Sequence, residues 1–162
     1  MRIKCIVVAS AVASCLLAGI TAGLSAQAVP DLSGTWNADI AKSDPAPPGV
    51  GRGRGNANVM VITTSATEIT VSLGGADYIY EVDGSERTGP PGGETKSRMA
   101  WDNGRLVITW KREFFAGPDK GYETSMGKDT YTLAGTVLTV ERMTTLPGQA
   151  PQTRRTVYNK AP

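Results

Sequence analysis

The side chains in this sequence that could hold a small molecule are five aromatic residues, sparse enough in a chain of 162 residues to be informative. Alternation along the predicted strands places several of them toward the interior, where tyrosine and tryptophan combine apolar area with a hydrogen-bonding group. We expect them either to fill the core or to line a partly open cup that takes a small apolar molecule. The candidate ligand-binding residues are Tyr78, Tyr80, Trp101, Trp110 and Tyr131.

Few groups in the sequence are suited to catalysis or to metal binding. There is no histidine, and the two cysteines, Cys5 and Cys15, both lie near the N-terminus. Without them the chain has no Ser-His-Asp or Cys-His arrangement and no metal site built on imidazole or thiolate. No glycine-rich phosphate motif is present in the right context, so no cofactor is expected. An enzyme would have to use tyrosines or carboxylates such as Asp77, Glu81 and Asp83, whose position beside glycine turns is typical of solvated surface.

The first 28 residues predict an exported protein. A basic start, an apolar run over residues 5–24 and the sequence Ala26-Gln27-Ala28 are together typical of a secretory signal peptide. We expect cleavage after Ala28 and a periplasmic or extracellular location. Residues 12–15 also fit a bacterial lipobox, in which an acylated Cys15 would anchor the protein to a membrane. An uncleaved anchor is the third alternative, and the many small residues of the run count against it.

Removal of this leader changes the charge of the protein. Of the 17 Lys and Arg residues, Arg2 and Lys4 lie in the leader, which leaves 15 against 15 Asp and Glu residues. A near-neutral mature chain gives no electrostatic argument for binding to nucleic acid. Residues 29–162 have the length of a single domain with its own core and contain no further segment that could span a membrane.

The mature chain is predicted to consist of short strands and turns. No stretch carries apolar residues at the spacing of a buried helix face. Gly74-Gly75 and Asn103-Gly104 are typical two-residue hairpin turns. The Gly/Pro/Arg-rich residues 45–56 predict a flexible loop, and residues 84–95 include a second one. The predicted strands are residues 33–40, 59–63, 68–73, 77–82, 96–101, 105–111, 121–133, 136–143 and 152–159.

This pattern predicts an all-β fold. Eight to ten strands joined consecutively pair as a single antiparallel up-and-down meander, which avoids exposed edges by closing into a barrel. About eight strands enclose an interior that holds side chains or one small ligand. A flatter sandwich is the alternative, although it usually needs crossover connections that the sequence does not suggest.

Several short motifs resemble those of small exported bacterial lipocalin-like proteins of the calycin type, most of which have no assigned activity. The motifs extend over nearly the whole mature chain, although each is short. They are Asp31-Leu-Ser-Gly-Thr-Trp36, Ala41-Lys-Ser-Asp44, Tyr80-x-x-Asp83-Gly84, Trp101-Asp102, Leu106-Val-Ile108 and Thr156-Val-Tyr-Asn-Lys160.

The resemblance implies structural roles for four residues. In lipocalins the first-strand Trp packs at the closed end of the barrel beneath an Arg of the last strand, so Trp36 would meet Arg154 or Arg155. Gly34 would let the backbone pass closely where a side chain would obstruct it. The sequence lacks a clear C-terminal helix and a disulfide in the mature chain, both of which are common in typical lipocalins.

Three functional hypotheses follow. The first is a non-catalytic binding module for a small, mostly apolar molecule, which requires a cavity. The second is an isomerase, cyclase or hydrolase on the same scaffold, which requires ionisable groups that converge inside the barrel mouth. The third is an envelope structural or interaction protein, which would present an exposed apolar patch on its outer surface or use its two long loops.

Overall fold

The computed structural model describes residues 29–45, 58–89 and 95–162. The predicted leader, with the cleavage site after Ala28 and the lipobox cysteine Cys15, lies outside the described residues. So do residues 46–57 of the Gly/Pro/Arg-rich loop and residues 90–94 of the second loop. Within the described ranges, no helix has the length and apolar character needed to cross a membrane.

Ten strands and one short helical turn make up the described chain. The helical turn is a 3-10 helix at Ile40–Lys42. The strands are β1 (Gly34–Ala38), β2 (Val59–Thr64), β3 (Glu68–Leu73), β4 (Ala76–Glu81), β5 (Arg87–Thr88), β6 (Thr95–Asp102), β7 (Arg105–Phe115), β8 (Tyr122–Ala134), β9 (Val137–Thr145) and β10 (Gln152–Lys160).

All ten strands belong to one antiparallel sheet that is nearly closed into a barrel. β1 pairs with β2 on one side and with β10 on the other. The sheet therefore runs from β4 back to β1 and then from β10 back to β5, so its two edges are strands that follow one another in the chain. The expected all-β antiparallel meander is confirmed.

The two edges of the sheet are joined by an ionic contact in place of a β-ladder. Arg87, on β5, directs its Nη1 at Glu68 Oε1 and at Glu81 Oε1, each 2.6 Å away. Glu68 begins β3 and Glu81 ends β4. The hydrogen bond to Glu68 raises the pKa of the Arg87 guanidinium most, and that to Glu81 raises it further. One cation thus connects three strands across the only gap between consecutive strands of the described sheet.

Tight turns explain why consecutive strands pair. At the turn between β6 and β7, Asn103 has a φ of 50° and Gly104 a φ of 73°. Positive φ at both central positions is the type I′ geometry, whose twist matches that of the flanking strands. The register places Trp101 opposite Leu106, so both side chains fall on the inner face.

The longest hairpin extends further than its sequence predicts. β7 continues to Phe115, whereas apolar alternation alone ends it at Lys111. The extension exists because every residue of this segment pairs across to β8, as far as Phe115 with Tyr122. The rings of that last pair meet edge to face with centroids 5.6 Å apart, and both are largely exposed.

The apolar core occupies the end of the barrel where β1 begins and β10 ends. Trp36 is fully buried, and its Nε1 donates a hydrogen bond of 2.9 Å to the carbonyl of Leu32, which covers this end. The buried residues packed here or nearby are Leu32, Trp36, Met60, Ile62, Ile69, Val71, Met99, Leu106, Ile108, Leu138, Val140 and Tyr158.

The cation over Trp36 differs from the one implied by the resemblance. Lys160 is opposite Trp36 in the β1–β10 ladder, and its Nζ lies 5.4 Å from the centre of the indole. Neither Arg154 nor Arg155 makes a ring contact of this kind within the described residues. Gly34 does have a close neighbour: its φ is +131°, and a Cβ there would lie 2.9 Å from Lys160 Cε.

Candidate functional site

A cavity of about 790 Å³ opens at the end of the barrel opposite Trp36. Its wall is built where β3, β7 and β9 end and where β4, β6 and β8 begin, and these strand ends lie at the same end of an antiparallel barrel. The volume falls within the usual range for sites that bind small molecules, about 300–1,000 Å³. The barrel interior is therefore packed at one end and open at the other.

Four of the five candidate aromatic residues line this cavity: Tyr78, Tyr80, Trp110 and Tyr131. Tyr80 and Tyr131 are buried, whereas Tyr78 is 41% exposed and lies near the mouth. Trp101 is not among the lining residues. It faces inward but packs against the core, because its partner Leu106 belongs to the closed end.

Trp110 owes its position to the glycine opposite it. Gly127 faces Trp110 across the β7–β8 ladder, and a Cβ at position 127 would overlap the Trp110 ring. The indole therefore lies flat against the backbone of β8 and forms part of the cavity wall. Its Nε1 points to Asp129 Oδ1 at 3.5 Å, which is a weak hydrogen bond.

An ion pair forms the polar part of the cavity floor. Asp129 is 2% exposed, and it lies opposite Arg142 in the β8–β9 ladder. Arg142 donates from Nε to Oδ1 at 2.8 Å and from Nη2 to Oδ2 at 2.6 Å. This two-point contact satisfies both oxygens of a buried carboxylate, which would otherwise be costly to place there. The hydrogen bonds to Asp129 in turn raise the pKa of Arg142.

The tyrosines beside this ion pair stay protonated. Burial, reinforced by the negative charge of Asp129, raises the pKa of Tyr80 well above its ordinary value of 10.0. The same two causes, in the same order, raise the pKa of Tyr131. At neutral pH both hydroxyl groups can therefore donate hydrogen bonds to a bound molecule, and neither is suited to act as a base.

Two further arginines line the cavity, Arg87 at the gap between β4 and β5 and Arg112 near the end of β7. Arg87 is held by Glu68 and Glu81. Arg112 is exposed and forms no salt bridge with any residue of the described ranges. Next to it the hydroxyl of Ser125, a buried polar side chain, donates to the carbonyl of Arg112 at 3.4 Å.

The two arginines predicted to have structural roles lie on β10, and alternation puts them on opposite faces. Arg154 is opposite Arg142 in the β9–β10 ladder, and its buried Nε has no hydrogen-bond partner among the described residues. Arg155 fixes the 3-10 segment: its backbone N–H donates to Asp44 Oδ2 at 2.6 Å, and its Nη2 donates to the Lys42 carbonyl at 3.2 Å.

Four charged residues of the site were not predicted from the sequence: Arg87, Arg112, Asp129 and Arg142. For the last two a signal was available, because Asp129 shares a face of β8 with Tyr131, and Arg142 shares a face of β9 with Leu138 and Val140. A charged residue on an inward-facing position is unusual unless it is paired. Of the carboxylates singled out from the sequence, Asp77 lies at the rim of the cavity and accepts a hydrogen bond from Ser72. Glu81 is not among the lining residues and accepts a hydrogen bond from Arg87.

The described residues contain no group of three or more His, Cys, Asp and Glu side chains that could hold a metal ion. Comparison of the chain with protein-family models, with curated proteins and with solved structures gave no match. The function is therefore inferred from the geometry of the cavity.

Proposed function

We propose that this protein is an exported, lipocalin-like binding module that holds one small, mostly apolar molecule without chemical conversion. The observation that carries the proposal is the cavity of about 790 Å³ at the open end of the barrel, with the rings of Tyr78, Tyr80, Trp110 and Tyr131 in its wall. Aromatic side chains supply a large apolar area for contact with a ligand, while the tyrosine hydroxyls orient its polar groups.

A neutral apolar dye tests this proposal. N-phenyl-1-naphthylamine carries no charge at neutral pH and becomes fluorescent in apolar surroundings. We expect it to bind the mature protein with one site and a dissociation constant in the micromolar range, which corresponds to about 8 kcal/mol.

Two variants of neighbouring residues on β6 locate the binding. Ser97 lines the cavity, whereas Lys96 is exposed on the outer face. Ser97→Phe fills the cavity and should abolish dye binding, while Lys96→Phe adds the same ring outside and should leave it unchanged. A wild-type protein that does not bind the dye, or equal binding by both variants, would contradict the proposal.

An enzyme on the same scaffold is less well supported. Both oxygens of Asp129, the buried carboxylate of the described interior, are occupied by Arg142. The neighbouring Tyr80 and Tyr131 have raised pKa values and therefore stay protonated at neutral pH. A general base has to be unprotonated and within hydrogen-bond reach of the proton that it removes. The two tyrosines are protonated, and Asp129 is already hydrogen-bonded to Arg142.

An interaction function has one observation in its favour. The outer face of β7, β8 and β9 carries four exposed large apolar side chains: Phe115, Tyr122, Met126 and Met143. Exposed apolar patches often mark contact surfaces. If this patch joins two copies of the chain, the protein should sediment as a dimer, and Phe115→Ser combined with Tyr122→Ser should return it to the monomer.

Export is part of the proposal because of the leader-like residues 1–28. The mass of the protein isolated from its native cells tests this directly. We expect a mature chain that begins at Val29, and the alternative is a lipid-modified chain that begins at Cys15. A chain that retains residues 1–14 would contradict removal of the leader by either route and would favour the uncleaved anchor.

A further inference from the structure

We propose that the molecule bound in the cavity is an amphipathic monoanion, an apolar body with one carboxylate, and that Arg112 recognises the carboxylate at the mouth. This inference rests on the proposed binding function and adds the chemical class of the ligand. It is carried by the distribution of charge around the cavity.

The three arginines that line the cavity differ in how their charge is satisfied. Arg142 makes two hydrogen bonds to Asp129. Arg87 contacts both Glu68 and Glu81. Arg112 has no acidic partner in the described chain. A guanidinium has five N–H donors in a planar fork that matches the two oxygens of a carboxylate. Of the three, that of Arg112 has no acidic partner among the described residues and can take a carboxylate from a ligand.

The part of the interior formed by β8, β9 and β10 has an excess of positive charge. Arg154 is directly opposite Arg142, and its buried Nε has no partner among the described residues. The nearby carboxylate, that of Asp129 on β8, is already hydrogen-bonded to Arg142. Both arginines lower the pKa of the neighbouring Tyr158 hydroxyl, against the larger effect of burial, which raises it. Asp129 offsets one of these two positive charges, so an anion at the mouth is attracted by Arg112 and by the remaining charge deeper inside.

A cationic ligand, by contrast, finds no unpaired carboxylate on the inward-facing positions of the described cavity wall. The side-chain oxygens that line it near the mouth belong to hydroxyl groups such as Ser97, Ser125 and Thr144. Asp77 is charged and lies at the rim, but alternation with Tyr78 puts its side chain on the outer face of β4, where Oδ1 accepts a hydrogen bond from the Ser72 hydroxyl. The apolar walls, with Val71, Leu73 and Leu146 among the lining residues, accept the body of the ligand. The charge pattern therefore selects anions over neutral molecules and neutral molecules over cations.

Three ligands of equal chain length test this order of preference for anionic, neutral and cationic ligands. They are decanoate, decanol and decylammonium, each used below its critical micelle concentration. Calorimetry of each with the mature protein needs no dye and so measures the preference independently of the dye experiment. We expect decanoate to bind most tightly and decylammonium least tightly. Equal binding of decanoate and decanol, or no binding of decanoate, would overturn the inference.

Substitution of Arg112 tests which residue is responsible. Arg112→Gln should weaken decanoate binding about five- to tenfold, at the low end for a charge-assisted pair because Arg112 is exposed. The affinities for decanol and N-phenyl-1-naphthylamine, which have no carboxylate, should fall much less than that for decanoate. Arg112→Lys should restore part of the affinity, since it keeps the charge but loses the planar fork.

Lys111→Gln is the matched control, because Lys111 precedes Arg112 on β7, carries the same charge and is exposed on the outer face. It should leave decanoate affinity unchanged. If Lys111→Gln and Arg112→Gln weaken decanoate equally, the effect is one of net charge and Arg112 is not the recognition group. If the dye binds in the cavity while decanoate does not outcompete decanol, the proposed binding function stands and this inference falls.

Discussion

Arg142 donates two hydrogen bonds to Asp129 inside the barrel, at 2.8 and 2.6 Å, and this ion pair separates the packed end from the open end. Along β8, Tyr131 follows on the same face toward the core, and Gly127 precedes it beneath the ring of Trp110. The pair therefore both stabilises the fold and forms the floor of the cavity.

Removal of the Asp129 carboxylate should destabilise the protein. In Asp129→Ala the guanidinium of Arg142 loses both acceptors, and Trp110 Nε1 loses its partner. We expect the free energy of unfolding to fall by about 2–4 kcal/mol, less than for a fully buried pair because the Arg142 side chain is half exposed. Urea unfolding monitored by circular dichroism measures this change.

Asp102→Ala is the control for that prediction. Asp102 forms a salt bridge with Arg105 in which both side chains are nearly half exposed, and such surface pairs contribute about 0–1 kcal/mol. If the two substitutions cost the same, the interior ion pair has no special role in stability.

Gly34→Ala should destabilise the closed end of the barrel. A non-glycine residue is strained at a φ of +131°, and its Cβ would also press against Lys160 Cε at 2.9 Å. We expect a loss of about 1–3 kcal/mol in the free energy of unfolding. Gly148→Ala is the comparison, since its φ is +69° and no atom lies within 4 Å of the added Cβ. A smaller loss for Gly34→Ala than for Gly148→Ala would show that the contact with Lys160 is unimportant.

The stability of the protein should fall in alkaline solution as its tyrosines ionise. Burial raises the pKa of Tyr80, Tyr131 and Tyr158 above 10.0 in the folded protein. Each phenol therefore holds its proton more tightly when folded than when unfolded. Its contribution to stability is complete below about pH 10 and is lost as the pH rises toward the folded-state pKa.

Ultraviolet absorbance at alkaline pH measures the ionisation of the tyrosines. Urea unfolding as a function of pH measures the accompanying loss in the free energy of unfolding. Tyr131→Phe should reduce the alkaline loss of stability, whereas Tyr122→Phe should not, since Tyr122 is 77% exposed. If Tyr80, Tyr131 and Tyr158 ionise near pH 10, their buried positions are wrong.

Arg87→Gln should loosen the gap between β4 and β5. These edges share no ladder, and Arg87 connects them through Glu68 and Glu81. We expect amide hydrogen exchange to become faster in β4 and to change less in the other strands. Local opening of a strand depends on its local contacts. Arg98→Gln removes the longer, exposed contact with Glu86 at 3.4 Å and should leave exchange in β4 unchanged. Identical exchange in both variants would contradict a role for Arg87 in closure.

Much of the fold can be read from the sequence because its signals are local. Alternation identifies the inner face of each long strand, and the turn at Asn103-Gly104 fixes the pairing of β6 with β7. The two-residue strand β5 carries no such signal, since Arg87 and Thr88 acquire their pairing only from β6. The extension of β7 to Phe115 likewise depends on its partner strand.

The candidate site was predicted in part, and for a physical reason. Alternation gives the face of a strand on which a residue lies but not its height along the barrel. Trp101 and Trp110 both face inward, yet only Trp110 reaches the cavity. The register of distant strands also decides which residues meet, as with Asp129 and Arg142 or Trp36 and Lys160. No local pattern in the sequence specifies those two pairings.

The three indole N–H groups offer the most direct test of the central claim, that a small apolar molecule binds at the open end of the barrel. In a two-dimensional ¹H–¹⁵N spectrum each gives one signal, assigned by single Trp→Phe variants. On addition of N-phenyl-1-naphthylamine, the Nε1–H signal of Trp110 should shift, because this ring lines the cavity. The signal of Trp36, which donates to Leu32 at the closed end, should stay in place, as should that of Trp101. A spectrum in which Trp110 does not move, or in which all three signals move alike, would contradict the account.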